Sequence, residues 1–203
     1  MDHSTLTPTM AINICKNGKT LQKLNLNYSL VKRYTDIGIV YGSPYDFASN
    51  SYLQEIIKRC QELKEIDFNG PDEEGMTSED LKFLVKNISP NIEKLNLKSS
   101  CCLKEFVKIL LRRCNKIKAF TLTARFRADI SLTDIRQHLH LTLEELSLGC
   151  DFELLSLTGF LELKSMPRLK ILKFYNRKAD SKVIQTLREH LPHLKIYAYG
   201  IQN

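Results

Sequence analysis

Cys114-Asn115-Lys116-Ile117-Lys118-Ala119-Phe120-Thr121-Leu122 is the stretch on which the reading of this 203-residue chain turns. Counted from Ile117, its apolar residues stand at places one, four and six. The same spacing recurs in Leu63-Ile66-Phe68, Ile92-Leu95-Leu97, Leu143-Leu146-Leu148 and Leu169-Leu172-Phe174, with an earlier copy at Leu21-Leu24-Leu26. From Leu63 the copies start at 63, 92, 117, 143 and 169, and a degenerate last one starts at Leu194. Places four and six are two apart, which is the period of a strand that buries one face. Helix-period stripes precede five of these strands. Leu103, Phe106, Val107, Leu110 and Cys114 run into Ile117, and Leu81, Leu84, Val85 and Ile88 run into Ile92. Similar stripes lead into Leu63, Leu143 and Leu194. Thr77 with Asp80, Ser131 with Asp134, and Asp180-Ser181 supply capping chemistry at helix starts.

One strand and one helix repeated every 25 to 29 residues is the mark of a leucine-rich repeat. A single unit cannot bury its apolar face, so stacked units share one core. The predicted fold is an α/β solenoid with a curved parallel sheet on the concave face and helices on the convex face. It forms one domain over 1–203, with a partial first repeat over 11–30, an insertion over 31–50, and regular repeats with a carboxyl cap over 51–200. Ile37 to Tyr41, inside the insertion, is expected to form a short extra strand. At the carboxyl end the spacing puts Tyr197 and Tyr199 in the core. Ala11 to Cys15 read as the closing turn of a helix, so the amino end is expected to lack a cap.

A 43% hydrophobic content suffices for a core, and no stretch approaches a membrane span. The start, Met1-Asp2-His3-Ser4-Thr5, has no basic segment followed by an apolar run, so no leader is expected. Cys60 and Cys114 both end helices three residues before a strand's first apolar place, which suits buried thiols in a reducing compartment, cytoplasmic or nuclear. The net charge of +7 admits an acidic partner or nucleic acid. Lys104, Lys108, Arg112 and Arg113 fall on the outer face of one convex helix, where a solvated surface is the stronger reading.

No catalytic, cofactor-binding or metal-binding residue is expected. Gly18-Lys19-Thr20 resembles the tail of a phosphate loop, but Asn13 stands where its first glycine belongs, and the segment runs from helix into strand. His138 and His140 are two apart and cannot share a helix face, and Cys101-Cys102 are adjacent. The Asp72-Glu73-Glu74 run lacks calcium-loop spacing.

The inner arc is the candidate binding surface. Residues alternating with the core leucines put Lys94, Asn96 and Lys98 on its charged amino side, and Ile171, Lys173, Tyr175 and Ile196 on its carboxyl side. Aliphatic and aromatic surface on adjacent strands is the composition of a protein-binding hot spot.

The helix-ending cysteines in Arg59-Cys60-Gln61-Glu62-Leu63 and Arg113-Cys114-Asn115-Lys116-Ile117 resemble the cysteine-containing repeats of F-box/LRR proteins, substrate receptors of cullin-based ubiquitin ligases. Met166-Pro167-Arg168-Leu169-Lys170-Ile171-Leu172 and Leu191-Pro192-His193-Leu194-Lys195-Ile196 resemble the last repeats of a receptor in that family. The resemblance implies a substrate-binding arm that meets a protein on the concave face. The F-box, through which ligase components would be contacted, is expected to be missing upstream of Cys15, so adaptor docking is not carried over. A free-standing repeat scaffold or inhibitor, or a basic nucleic-acid-associated module, are the alternatives.

Overall fold

The computed structural model describes residues 5–6, 8–25, 30–35, 38–42, 51–68, 78–99, 104–124, 132–149, 160–175 and 181–199. The amino part comprises β1 (Thr5–Leu6), α1 (Pro8–Lys16), β2 (Lys23–Asn25), β3 (Leu30–Thr35) and β4 (Gly38–Gly42). There follow α2 (Ser51–Arg59), β5 (Glu65–Phe68), α3 (Ser78–Asn87), β6 (Lys94–Ser99), α4 (Lys104–Arg113), β7 (Ala119–Ala124), α5 (Leu132–Leu139) and β8 (Glu145–Gly149). A 3₁₀ turn (Glu162–Ser165), β9 (Ile171–Tyr175), α6 (Ser181–His190) and β10 (Lys195–Tyr199) complete the order.

Seven strands form one open parallel sheet in the order β2-β5-β6-β7-β8-β9-β10. Register follows the sequence repeat. Leu95 pairs with Phe120, Phe120 with Leu146, and Leu146 with Leu172, so like positions stack on like. All four are fully buried and share one core with Ile56, Leu84, Leu110, Ile135 and Leu187 from the helices. A slip of one residue would turn every such side chain to the opposite face, so the apolar pattern fixes the register. Strands β5 to β9 are each entered through a carbonyl that accepts two N–H groups, among them Lys64 O from Glu93 and Lys94, Glu93 O from Lys118 and Ala119, and Lys118 O from Glu144 and Glu145.

The joints between helix ends recur at the repeat distance. Ser89 Oγ donates to Gln61 O at 2.6 Å, Arg113 Nε to Ile88 O at 2.8 Å, and Cys114 Sγ to Ser89 O at 3.5 Å. Cys60 and Cys114 are free and fully buried. Burial pushes their thiols up to about 11 and about 12. Gly18 sits in a turn, where an added Cβ would stand 3.2 Å from Arg59 O and from Cys60 Sγ. It is a packing residue there.

Four expectations need correction or extension. The last strand is shifted by one residue: Ile196 pairs with Leu172 and Ala198 with Phe174, so Ile196 belongs to the core. Tyr197 and Tyr199 consequently stand on the open face with Tyr175. Before β9 the 3₁₀ turn follows two α-helical residues, Phe160 and Leu161, the residues ahead of them lying outside those described, and Phe160 packs edge-on against Phe174 with centroids 5.4 Å apart. The insertion holds two strands, since β4 pairs antiparallel with β3, and β1 joins β3 to make a separate three-stranded sheet. On α4, Lys108 faces the next unit, its Nζ 3.7 Å from Asp134 Oδ1. The acidic run at 72–74, Cys101-Cys102, Cys150, and the capping residues Thr77, Ser131 and Asp180 lie outside the described residues.

Candidate functional site

Strand alternation leaves one face of the sheet open, and its two ends differ in chemistry. At the amino end, Lys23 Nζ pairs with Glu65 Oε1 at 2.7 Å. Beside them lies a shallow depression of about 210 Å³ lined by Lys23, Glu65, Asp67, Lys94 and Asn96 over Leu24 and Ile66. Lys94 is exposed and Asn96 half-buried. The Asn96 Oδ1 atom is buried with no hydrogen-bond partner, so this acceptor has lost water and gained nothing among the described residues. Lys98 continues β6 and pairs with Thr123 through the backbone, and its side chain lies outside what is described.

The middle of the face is small. Thr121 and Thr123 on β7 pair with Ser147 and Gly149 on β8. A Cβ at Gly149 would meet Thr123 Cγ2 at 3.0 Å and Oγ1 at 3.1 Å, so the threonine already occupies the space a side chain would need.

At the carboxyl end, β9 and β10 bring Tyr175 beside Tyr199 and Lys173 beside Tyr197. The Tyr175 and Tyr199 rings lie 5.0 Å apart at 8°, a parallel stack. The three tyrosines remain 46%, 43% and 47% exposed, so nearly half of each is open to a partner. Lys173 reaches back across one strand to Glu145 Oε1 at 2.6 Å. This bond raises the Lys173 pKa first, burial opposes it, and the Glu145 charge and the two stacked tyrosines add to the rise. The lysine is held as an ammonium in a fixed place, with the aromatic plate beside it.

The expected residues thus fall into two groups. Ile171, Lys173 and Tyr175 are together on β9, Ile171 and Lys173 half-buried and Tyr175 exposed. Lys94 and Asn96 are three strands away, on β6. Ile196 is withdrawn from the surface because the loop from α6 to β10 is one residue shorter. Only Lys195 N reaches the Lys170 carbonyl there, where Glu144 O accepts from both Lys170 and Ile171. Tyr197 and Tyr199 take its place, and sequence reasoning missed them. The available signal was the alternation Leu194-x-Ile196-x-Ala198, which keeps aliphatic residues inward.

No group of three His, Cys, Asp or Glu placed to hold a metal occurs among the described residues, and none of their helices is long and apolar enough to cross a membrane. No family model and no curated protein matches the chain.

Proposed function

We propose that the chain is a leucine-rich-repeat arc whose open face recognises a protein partner, in the manner of the substrate arm of an F-box/LRR ubiquitin-ligase subunit. The observation that carries this reading is the half-exposed tyrosine stack on the strands beside the Lys173–Glu145 pair. Tyrosines lose little rotamer entropy on binding and offer both apolar area and a hydroxyl, so they dominate interface energetics. The plate stands on the buried, in-register strands of a shared core, which gives it the rigidity that a binding surface needs. A repeat stack with an open sheet face and a helix-covered face suits recognition over a broad surface.

The test is quantitative affinity capture with the wild-type chain, with Tyr175→Ala/Tyr199→Ala, and with Glu105→Lys on the helix side. Proteins that bind through the plate should be lost from the double variant, each weakened by about 2 kcal/mol or more, and retained by Glu105→Lys. Unchanged capture by a folded double variant would refute the reading.

A further inference from the structure

Because the seven strands of the large sheet are parallel, every loop from a helix into a strand falls on the same edge of the stack. The relevant segments run from the last four residues of each helical element to the residue before the next strand. They are 13–22, 56–64, 84–93, 110–118, 136–144, 162–170 and 187–194. They hold fifteen of the chain's 30 lysines and arginines and five of its 23 acidic residues. That edge carries a net +10 and the remainder of the chain −3, which accounts for the overall +7.

Thirteen of the fifteen cations are exposed; Lys64 and Arg136 are half-buried. Cations in a last helical turn also answer the helix dipole. However, Lys19, Lys64, Lys116, Lys118, Arg168 and Lys170 lie beyond the helix ends, where the dipole makes no such demand. Some are held without being neutralised. Lys116 Nζ donates to Asn91 Oδ1 at 2.8 Å, and Arg113 Nε to the Ile88 carbonyl, both uncharged acceptors. Lys118 and Lys170 are paired with Glu93 and Glu144 at 2.7 and 3.0 Å, but in exposed pairs that water and salt weaken.

The edge also lacks what a folded protein partner needs. No Phe, Tyr or Trp occurs in these segments, and Leu141 is the one large apolar side chain exposed there among the described residues. With no apolar centre to desolvate, a compact interface has no hot spot. A linear polyanion needs none, because counterion release drives its binding. At about 4.8 Å per strand the edge runs about 30 Å along the sheet, the length of about nine base pairs at 3.4 Å each.

We propose that the helix-to-strand edge binds the phosphodiester backbone of nucleic acid, independently of sequence and of the tyrosine plate. Without aromatic residues to stack on bases, single strands gain nothing beyond their phosphates. Duplexes, with twice the phosphate density, should bind at least as tightly.

The test is fluorescence anisotropy with labelled 20-base-pair DNA and RNA duplexes and the matching single strands, titrated from 50 to 200 mM salt. The expected result is binding at 50 mM to duplexes of either kind, with a salt slope corresponding to four or more phosphates. Lys116→Glu and Arg168→Glu should each weaken binding about tenfold and lower the slope. Lys82→Glu, the same charge change on the helix side, should cost no more than about twofold. Tyr175→Ala should have no effect, so this proposal and the protein-binding reading stand or fall separately. Absence of binding at 50 mM salt overturns the proposal. So does equal weakening by Lys82→Glu and Lys116→Glu, or competition by polyglutamate as strong per charge as by duplex, which would assign the edge to an acidic polypeptide.

Discussion

On β7 and β8 the open face carries Thr121, Thr123, Ser147 and Gly149; on β9 and β10 it carries Lys173, Tyr175, Tyr197 and Tyr199. The backbone is the same parallel ladder in both places, and the residues beneath are the same buried aliphatic and phenylalanine set. Packing therefore dictates the inward positions and constrains the outward ones less, Gly149 beside Thr123 being an exception. A side chain that varies between units without any packing reason is where partner chemistry is to be sought. Small residues leave the middle of the sheet smooth, and the aromatic residues at its carboxyl end give it the exposed surface on which the proposed recognition rests.

The largest expected effect tests the division between inward and outward positions. Leu95→Ala removes a fully buried side chain from β6 and should cost about 2–5 kcal/mol. Asn96→Ala, one residue on, should change stability by less than about 1 kcal/mol in either direction, because its buried Oδ1 has no partner to lose. Urea midpoints of the two variants measure the contrast, and equal shifts would break it.

The second test addresses the shifted last strand. Ile196→Ala should cost about 2 kcal/mol, the low end for a buried aliphatic, because its cavity opens at the terminal strand of the sheet. Tyr197→Ala should cost less than about 0.5 kcal/mol, as a surface change does. The reverse ranking in thermal melts would restore the tyrosines to the core.

Those two strands also show what the sequence could and could not say. The spacing one-four-six with a preceding helical stripe is a packing signal, so β5 to β9 and their pairing were legible in Ile66, Leu95, Phe120, Leu146 and Leu172. The register of β10 was not, because Leu194-Tyr197-Tyr199 satisfies the one-four-six spacing of the other units, whereas the true inward set, Leu194-Ile196-Ala198, stands at places one, three and five. A phenol is amphipathic enough for either side. Of the candidate residues, Ile171, Lys173 and Tyr175 lie together on β9, a placement the spacing made legible, whereas the tyrosine stack needed the cross-strand register. The insertion was read as holding one short strand, because β3 and β4 are defined by their pairing with each other, which leaves little local trace. The basic edge was invisible for a similar reason: its cations are scattered through the sequence and are gathered by strand direction.

A smaller effect probes why the middle of the face is smooth. Gly149→Ala brings a methyl within about 3 Å of Thr123 and should cost about 1 kcal/mol. Thr123→Ser deletes the nearest methyl, so Gly149→Ala should cost less in that background. A double-mutant cycle with no coupling would mean that something other than Thr123 excludes a side chain there.

The smallest expected effect is a pH dependence confined to the middle of the stack. His138, on α5, has its Nε2 buried with no partner among the described residues. Burial lowers its pKa most, Arg112 and Lys108 lower it further, and Asp134 opposes them. A folded-state pKa below the unfolded value of about 6.5 means that the unfolded chain takes up the proton first as pH falls. The stability contribution is therefore complete above about pH 6.5 and is lost as pH drops through the folded-state value. Melts at pH 7.5 and 5.5 should show a smaller acid loss for His138→Gln than for the wild type. The tyrosine stack and the Lys173–Glu145 bond lie on β8 to β10, on strands rather than on the helix that carries His138. Partner affinity should then stay constant while the melting temperature falls. If both fell together in the wild type and neither recovered in His138→Gln, the acid sensitivity would belong to the recognition surface.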